Sequence, residues 1–192
     1  CVIQEIFGAN AHIREVADGY AAAGYLAIAP ALYDRAERGV DLGYTPEDMQ
    51  AGRDFRAKVG DEGPVADITA VVKELHSAGK VGTVGYCWGG TLSFLAATRV
   101  DGVAGSVIYY GGQIVPYKDE TSNAPLLMHF GDMDAGIPME DVDQIKAAQP
   151  QADVHIYNAD HGFNCDHRSQ YDEDSCRVAR ERSLVFFAQN IG

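Results

Sequence analysis

The chain has 192 residues, enough for one domain with its own hydrophobic core, and 46% of them are hydrophobic while 22% are charged. No apolar run approaches the ~20 residues that a membrane helix needs. A formal net charge of -13 disfavours nucleic acid and anionic membrane surfaces as partners. We therefore expect a single domain over residues 1–192, a monomer or small homo-oligomer, that acts on a small molecule.

Short apolar runs alternate with longer amphipathic ones along the chain, which is typical of a mostly parallel sheet with helices on both faces. Strands are predicted, in chain order, at residues 2–5, 25–29, 81–84, 103–109, 126–130 and 154–157. Helices are predicted over residues 13–23, from Pro46 onwards, and over 64–78, 91–98, 139–148 and 173–190. Polar loops are expected at 31–45 and 158–172. Because the chain begins inside an apolar strand, we expect that N-terminal strands are absent from it.

The strongest local signal is the segment Gly85-Tyr86-Cys87-Trp88-Gly89-Gly90, between a predicted strand and a predicted helix. This is the G-x-S-x-G nucleophile elbow with cysteine in place of serine. Small residues on both sides allow the tight turn that lifts the nucleophile, and the helix dipole favours a thiolate. The pattern predicts Cys87 as nucleophile and the Trp88 N–H as an oxyanion donor. The alternative is a buried structural cysteine.

The other two members of a triad are expected in loops that follow late strands, in the order nucleophile, acid, histidine. Asp134 follows the strand at 126–130 and would hold the histidine tautomer, although Asp132 competes for this role. His161 follows the last strand and would exchange protons with the thiol and with water, with His167 as its nearest rival.

A glutamate stands at the end of the first strand, within Gln4-Glu5-Ile6-Phe7-Gly8. In this fold the loop after that strand supplies the second oxyanion N–H, which we assign to Ile6. A carboxylate in such an apolar context is costly unless it is paired. Glu5 either contacts Cys87 and controls its proton or forms a salt bridge with a nearby arginine.

The four cysteines, Cys1, Cys87, Cys165 and Cys176, contain no CxxC pair, so neither a metal site nor a redox site is predicted. They are also too sparse for a disulfide scaffold. We expect thiols in a reducing cytoplasm, with a Cys165–Cys176 pair as a minor alternative.

Together, the segments QEIFG, GYCWGG, GDMDAGIP and DHGF resemble the dienelactone hydrolase family, also called carboxymethylenebutenolidases, in their order and approximate spacing. The resemblance implies an α/β-hydrolase fold, a Cys-His-Asp triad of Cys87, His161 and Asp134, and no metal or organic cofactor. It also implies that Glu5 holds the resting thiol and helps to deprotonate it when substrate enters. The reaction would open a small lactone or ester through a thioester acyl-enzyme.

The resemblance further implies two arginines that bind a substrate carboxylate. Arg168 lies in the loop after His161 but is displaced from the family position, and Arg53 is the candidate for the other. Asp166 would oppose an anion there. Two other functions remain open, namely a cysteine-dependent acyltransferase and a non-catalytic binding protein on the same fold.

Overall fold

The computed structural model describes all 192 residues and contains one sheet of five strands, each parallel to its neighbours. The strands are β1 (Val2–Ile3), β2 (Val81–Tyr86), β3 (Val103–Tyr109), β4 (Leu126–Gly131) and β5 (Asp153–Tyr157). Their spatial order is the same as their order in the chain. Because all the strands run in one direction, their carboxyl ends, and the loops that follow them, lie at one edge of the sheet.

Six helices accompany the sheet, and they are longer than the strands. They are α1 (Ala11–Ala22), α2 (Pro46–Val59), α3 (Glu62–Leu75), α4 (Trp88–Arg99), α5 (Met139–Ala148) and α6 (Glu173–Asn190), with short 3-10 turns at Leu32–Arg35 and Val115–Tyr117. None of the helices is both long enough and apolar enough to cross a lipid bilayer.

Strand β2 shows that helices cover both faces of the sheet. The Thr83 hydroxyl lies 2.7 Å from that of Ser93 on α4, whereas a side chain at Gly82 would meet Phe187 of α6. Since successive strand residues point to opposite faces, α4 and α6 lie on opposite sides. This confirms the predicted α/β class.

Side-chain caps determine where three of the helices begin. Asn10 accepts the Ile13 N–H at 3.2 Å, so α1 starts earlier than predicted. Thr45 and Asp48 form a reciprocal capping box before α2, whose predicted start at Pro46 is confirmed. Asp172 accepts the Ser175 N–H at the start of α6.

The strand predicted at Tyr25–Ala29 is wrong. This segment runs beside β1, but the only backbone hydrogen bond between them joins the Val2 N–H to the Ile28 carbonyl at 2.8 Å. One hydrogen bond does not make a ladder, and Leu26 is 64% exposed. The segment is apolar because it packs half-buried at the sheet edge. Its composition is therefore similar to that of a strand.

A buried histidine links the sheet to α6. His129 of β4 is fully buried, with Nδ1 2.9 Å from the Tyr157 hydroxyl and Nε2 3.1 Å from the Ser183 hydroxyl. Ser183 donates to the Ala179 carbonyl and Tyr157 accepts from Arg182. Nε2–H therefore donates to Ser183, while Nδ1 accepts from Tyr157. Burial, with the nearby positive charges of His155 and Arg182, holds the pKa of His129 well below its usual value.

This neutral histidine should make the fold sensitive to acid. Because the unfolded chain takes up a proton at His129 below about pH 6.5 and the folded chain does not, stability present at neutral pH is lost as the pH falls, by up to ~1.4 kcal/mol per unit. Urea unfolding at pH 7.5, 6.5 and 5.5 measures this slope. We expect His129→Gln to flatten it and substitution of the solvent-exposed His76 by Gln to leave it unchanged. Equal slopes in the two variants would contradict the assignment.

Candidate active site

Cys87 occupies a strained turn between β2 and α4. Its backbone angles are φ 56° and ψ -119°, a region that costs a non-glycine residue ~1–3 kcal/mol. The turn requires small neighbours, because a side chain at Gly85 would overlap the Gly89 carbonyl and one at Gly89 would overlap the Gln4 carbonyl. This turn presents the thiol at the carboxyl edge of the sheet and at the first turn of α4.

His161 and Asp134 come together at the same edge. His161 Nδ1 lies 2.7 Å from Asp134 Oδ2, and the other carboxylate oxygen of Asp134 accepts the Gly136 N–H at 2.8 Å. Asp134 is buried, whereas Asp132 is exposed and makes no contact with the histidine. The rival histidine, His167, pairs with Glu15 at the surface.

The pKa of His161 reflects competing influences. Burial lowers it, but the negative charge of Cys87 and the hydrogen bonds with Asp134 and Cys87 outweigh burial and raise it to about 10. The imidazolium form of His161 is therefore favoured at neutral pH, and it lies within hydrogen-bonding reach of Cys87. Such a pair combines an activated nucleophile with a proton donor for a leaving group.

Glu5 is paired with an arginine rather than with the thiol. Its side chain is fully buried, and Oε1 accepts from Arg168 Nη1 at 3.4 Å, while Oε2 has no hydrogen-bond partner. The Arg168 guanidinium also lies over the rings of Phe7 and Tyr44, at 5.8 and 5.7 Å. Of the two roles expected for Glu5, this arrangement displays the salt bridge, and no hydrogen bond joins Glu5 to Cys87.

A cavity of about 340 Å³ opens beside Cys87 and His161. The predicted oxyanion residues, Ile6 and Trp88, both line it. The Trp88 indole is fixed by a 2.8 Å hydrogen bond from Nε1 to Asp61. The Trp88 backbone N–H lies in the first turn of α4, where helical N–H groups have no intrahelical partner.

Three arginines also line the cavity, where two were predicted. Arg53 and Arg168 are both present, and Arg56 joins them from α2. Arg56 lies 5.9 Å from the Trp88 ring and donates a hydrogen bond to Gln113. It was missed in the sequence, although its position three residues after Arg53 places both on one helix face.

The other cysteines stand apart from this chemistry. All four are free thiols, so the alternative of a Cys165–Cys176 disulfide is not observed. Cys165 is buried and donates to the Tyr44 hydroxyl at 3.3 Å, and Cys176 contacts Asn164.

Comparisons with known proteins identify relatives that match nearly the whole chain. A family model described as "Dienelactone hydrolase family" matches residues 1–191. The carboxymethylenebutenolidase of Pseudomonas putida is 35% identical, over 97% of this chain and 84% of its own length. A Klebsiella pneumoniae crystal structure titled "Putative Dienelactone Hydrolase" is 33% identical with a TM-score of 0.86, covering 98% of this chain and 85% of that one.

The family model and the Pseudomonas relative both extend over nearly the whole chain, including every segment that forms the cavity. The chain therefore belongs to the dienelactone hydrolase family and is a hydrolase of the class that acts on lactones or esters.

Proposed function

We propose that Cys87, His161 and Asp134 form a catalytic triad that opens a small carboxylated lactone or ester through a thioester acyl-enzyme. The observation that carries this proposal is the position of a strained Cys87 beside a His161 that is held by the buried Asp134. These three residues would supply what an activated nucleophile requires: the nucleophile, the base and a group that orients the base.

In the first half-reaction the Cys87 thiolate attacks the substrate carbonyl carbon. The negative charge moves to the carbonyl oxygen, where the backbone N–H groups of Ile6 and Trp88 stabilise it. When the tetrahedral intermediate collapses, the C–O bond to the leaving group breaks. His161 protonates the departing oxygen, which in a lactone stays attached to the acyl group.

In the second half-reaction the acylated Cys87 carries no charge. The largest influence that raises the pKa of His161, the thiolate charge, is then absent. His161 can therefore act as a base and remove a proton from the attacking water. Collapse of the second tetrahedral intermediate releases the acid and restores the thiolate and the imidazolium.

The three arginines favour a substrate with its own carboxylate. The chain as a whole is acidic, so a positive cavity is a local feature that attracts and orients an anion. The name of the Pseudomonas putida relative denotes a carboxymethylenebutenolide substrate, which is a lactone with a carboxylate. Arg53 and Arg56 are the more available partners, because neither forms a salt bridge, whereas Arg168 is paired with Glu5.

We assign Glu5 the role of controlling the Cys87 proton. Oε2 of Glu5 has no hydrogen-bond partner, and Oε1 would lose its partner if Arg168 turned towards a bound anion. The Glu5 carboxylate could then accept a proton. We also place the enzyme in the cytoplasm, because its four free thiols, including the nucleophile, persist in a reducing compartment.

The decisive experiment compares wild type with Cys87→Ala on a p-nitrophenyl ester and on a carboxylated dienelactone. We expect Cys87→Ala to lower kcat/KM at least ~1,000-fold on both substrates, because the nucleophile is lost. The matched control is Cys176→Ala, which removes a free thiol outside the cavity and should keep wild-type rates. Comparable activity in wild type and Cys87→Ala would refute the triad, and mass spectrometry of quenched wild type should detect the acyl adduct.

Replacement of the acid should separate Asp134 from Asp132. Asp134→Asn removes the charge that orients His161, and kcat should fall on the order of 10³–10⁴-fold, as in other triads. It also removes one cause of the raised pKa of His161, so the alkaline limb of kcat/KM, expected near pH 10, should shift to lower pH. The control Asp132→Asn should leave kcat and the alkaline limb of kcat/KM unchanged. If Asp132→Asn caused these losses and Asp134→Asn did not, Asp132 would be the acid of the triad.

The arginines should determine which substrate binds rather than the rate of the chemical step. Arg56→Gln removes a charged hydrogen-bond donor, so KM for the carboxylated lactone should rise ~10–100-fold, while kcat/KM for a neutral p-nitrophenyl ester stays within about twofold. Arg38→Gln, on the surface outside the cavity, is the matched control. Equal losses on the two substrates would argue against an anion-binding role.

A further inference from the structure

Beside the active site lies a second cluster of reactive side chains that the proposed reaction does not use in full. It consists of Glu5, His12 from the first turn of α1, and Cys165 from the loop after His161. All three are buried, with exposed fractions of 0%, 3% and 0%. One carboxylate oxygen, one ring nitrogen and the sulfur lie within 4.8 Å of one another.

Two atoms in this cluster lack partners. Glu5 Oε2 and His12 Nε2 are both buried and make no hydrogen bond. A buried acceptor without a hydrogen bond costs ~1–3 kcal/mol of stability, so a ligand that bound these atoms would remove that cost. The three donor atoms are close, yet no hydrogen bond joins any two of them. A single atom could therefore bridge all three.

We propose that Glu5, His12 and Cys165 form a buried binding site for a zinc ion, which restrains the hydrolase by engaging Glu5. Thiolate, imidazole and carboxylate are the three ligand types that Zn²⁺ takes in proteins. Mg²⁺ and Ca²⁺ prefer oxygen ligands alone.

The orientation of His12 supports zinc ligation. Its Nδ1 lies 3.5 Å from Oδ1 of Asp166, which leaves Nε2 free of any other bond. A carboxylate behind the non-ligating nitrogen fixes the tautomer that metal binding requires and is the usual second partner of a zinc histidine. Asp166, which does not line the substrate cavity, acquires a role in this arrangement.

The distances are compatible with a small closure of the cluster. Zinc bonds of ~2.0–2.3 Å in a tetrahedron place ligand atoms ~3.3–3.8 Å apart. The three atoms would therefore move together by no more than about 1.5 Å. A water would complete the tetrahedron. On binding, the Cys165 S–H bond breaks, its proton passes to solvent and a Zn–S bond forms, with no change in oxidation state.

A surface group offers an entry route for the ion. His12, Asp166 and His167 also have donor atoms within 4.8 Å of one another, and the last two are exposed. Because His12 belongs to both groups, an ion attracted to the exposed residues would lie next to the buried set. The three buried ligands stand at positions 5, 12 and 165, so no spacing motif in the sequence indicates them, and no metal was predicted.

The binding test uses the full chain carrying Cys87→Ala, because the catalytic thiol and histidine could themselves bind a metal. The probes are Zn²⁺ by calorimetry and Co²⁺ by its thiolate charge-transfer absorption. Both His12→Gln and Cys165→Ser, with folding checked by circular dichroism, should weaken affinity more than the ~10–100-fold that loss of a second-shell partner causes. Cys165→Ser should also abolish the cobalt–thiolate band.

The controls in the same background are Cys176→Ala, which removes the other free thiol of this region, and His167→Gln, which disrupts only the surface group. Both should retain at least about a third of the wild-type affinity. Absence of binding, or binding that survives Cys165→Ser but not His167→Gln, would overturn the buried site. Because the cobalt–thiolate absorption reports metal binding directly, the binding result does not depend on hydrolase activity.

Inhibition of the esterase activity by zinc, which rests on the proposed function, is tested in proteins that retain Cys87. Zn²⁺ should lower esterase activity in wild type and in Cys176→Ala, whereas His12→Gln and Cys165→Ser should keep their own metal-free rates at the same zinc concentration. Equal inhibition in all four proteins would locate the inhibitory ion at Cys87 and overturn the regulatory claim. A protein with no esterase activity would refute the proposed function and leave the binding result standing.

Discussion

The tight turn from β2 into α4 is the constraint on which the site depends. Cys87 holds an unfavourable φ of 56° because the chain must leave the sheet and enter a helix within one residue. Neighbouring backbone forces this conformation: the Cys87 N–H bonds to the Tyr109 carbonyl of β3, and the Cys87 carbonyl accepts from Gly90 and Thr91. The sheet and the helix thus supply the energy that keeps the thiol exposed to the cavity.

The same architecture brings together the other two residues of the proposed triad. The carboxyl ends of β4 and β5 lie side by side, so the loops that follow them bring Asp134 and His161 together although 27 positions separate them. Tyr110, the other non-glycine residue with positive φ, follows β3 and lies 5.0 Å from the His161 ring. The two strained residues thus flank the candidate site: one is the proposed nucleophile, and the other packs against the ring of the proposed base.

Local patterns were sufficient to pick out Cys87, Asp134 and His161, which the structure brings to one edge of the sheet, but not the residues around them. The elbow, the acid loop and the histidine loop each follow a strand, and chain order distinguishes their roles. The salt bridge of Glu5 with Arg168 joins residues 163 positions apart, so no local pattern distinguishes it from a contact with the thiol. Arg56 was missed because an arginine on an exposed helix usually faces water. The strand expected at Tyr25–Ala29 failed because apolar composition cannot tell a paired strand from a chain packed beside one.

The buried charge of Glu5 connects these observations. A carboxylate that is fully buried and only half satisfied would be unfavourable in a purely structural role, since one weakly aligned bond at 3.4 Å compensates little of its desolvation. Arg168 lines the cavity as well, so an anion that enters competes with Glu5 for the same guanidinium. Under the two proposals Glu5 has a choice of two cations, Arg168 and the zinc ion that we place with His12 and Cys165. The partner that Glu5 holds would then determine whether its charge is available to Cys87, which would give this buried carboxylate a function at the end of β1.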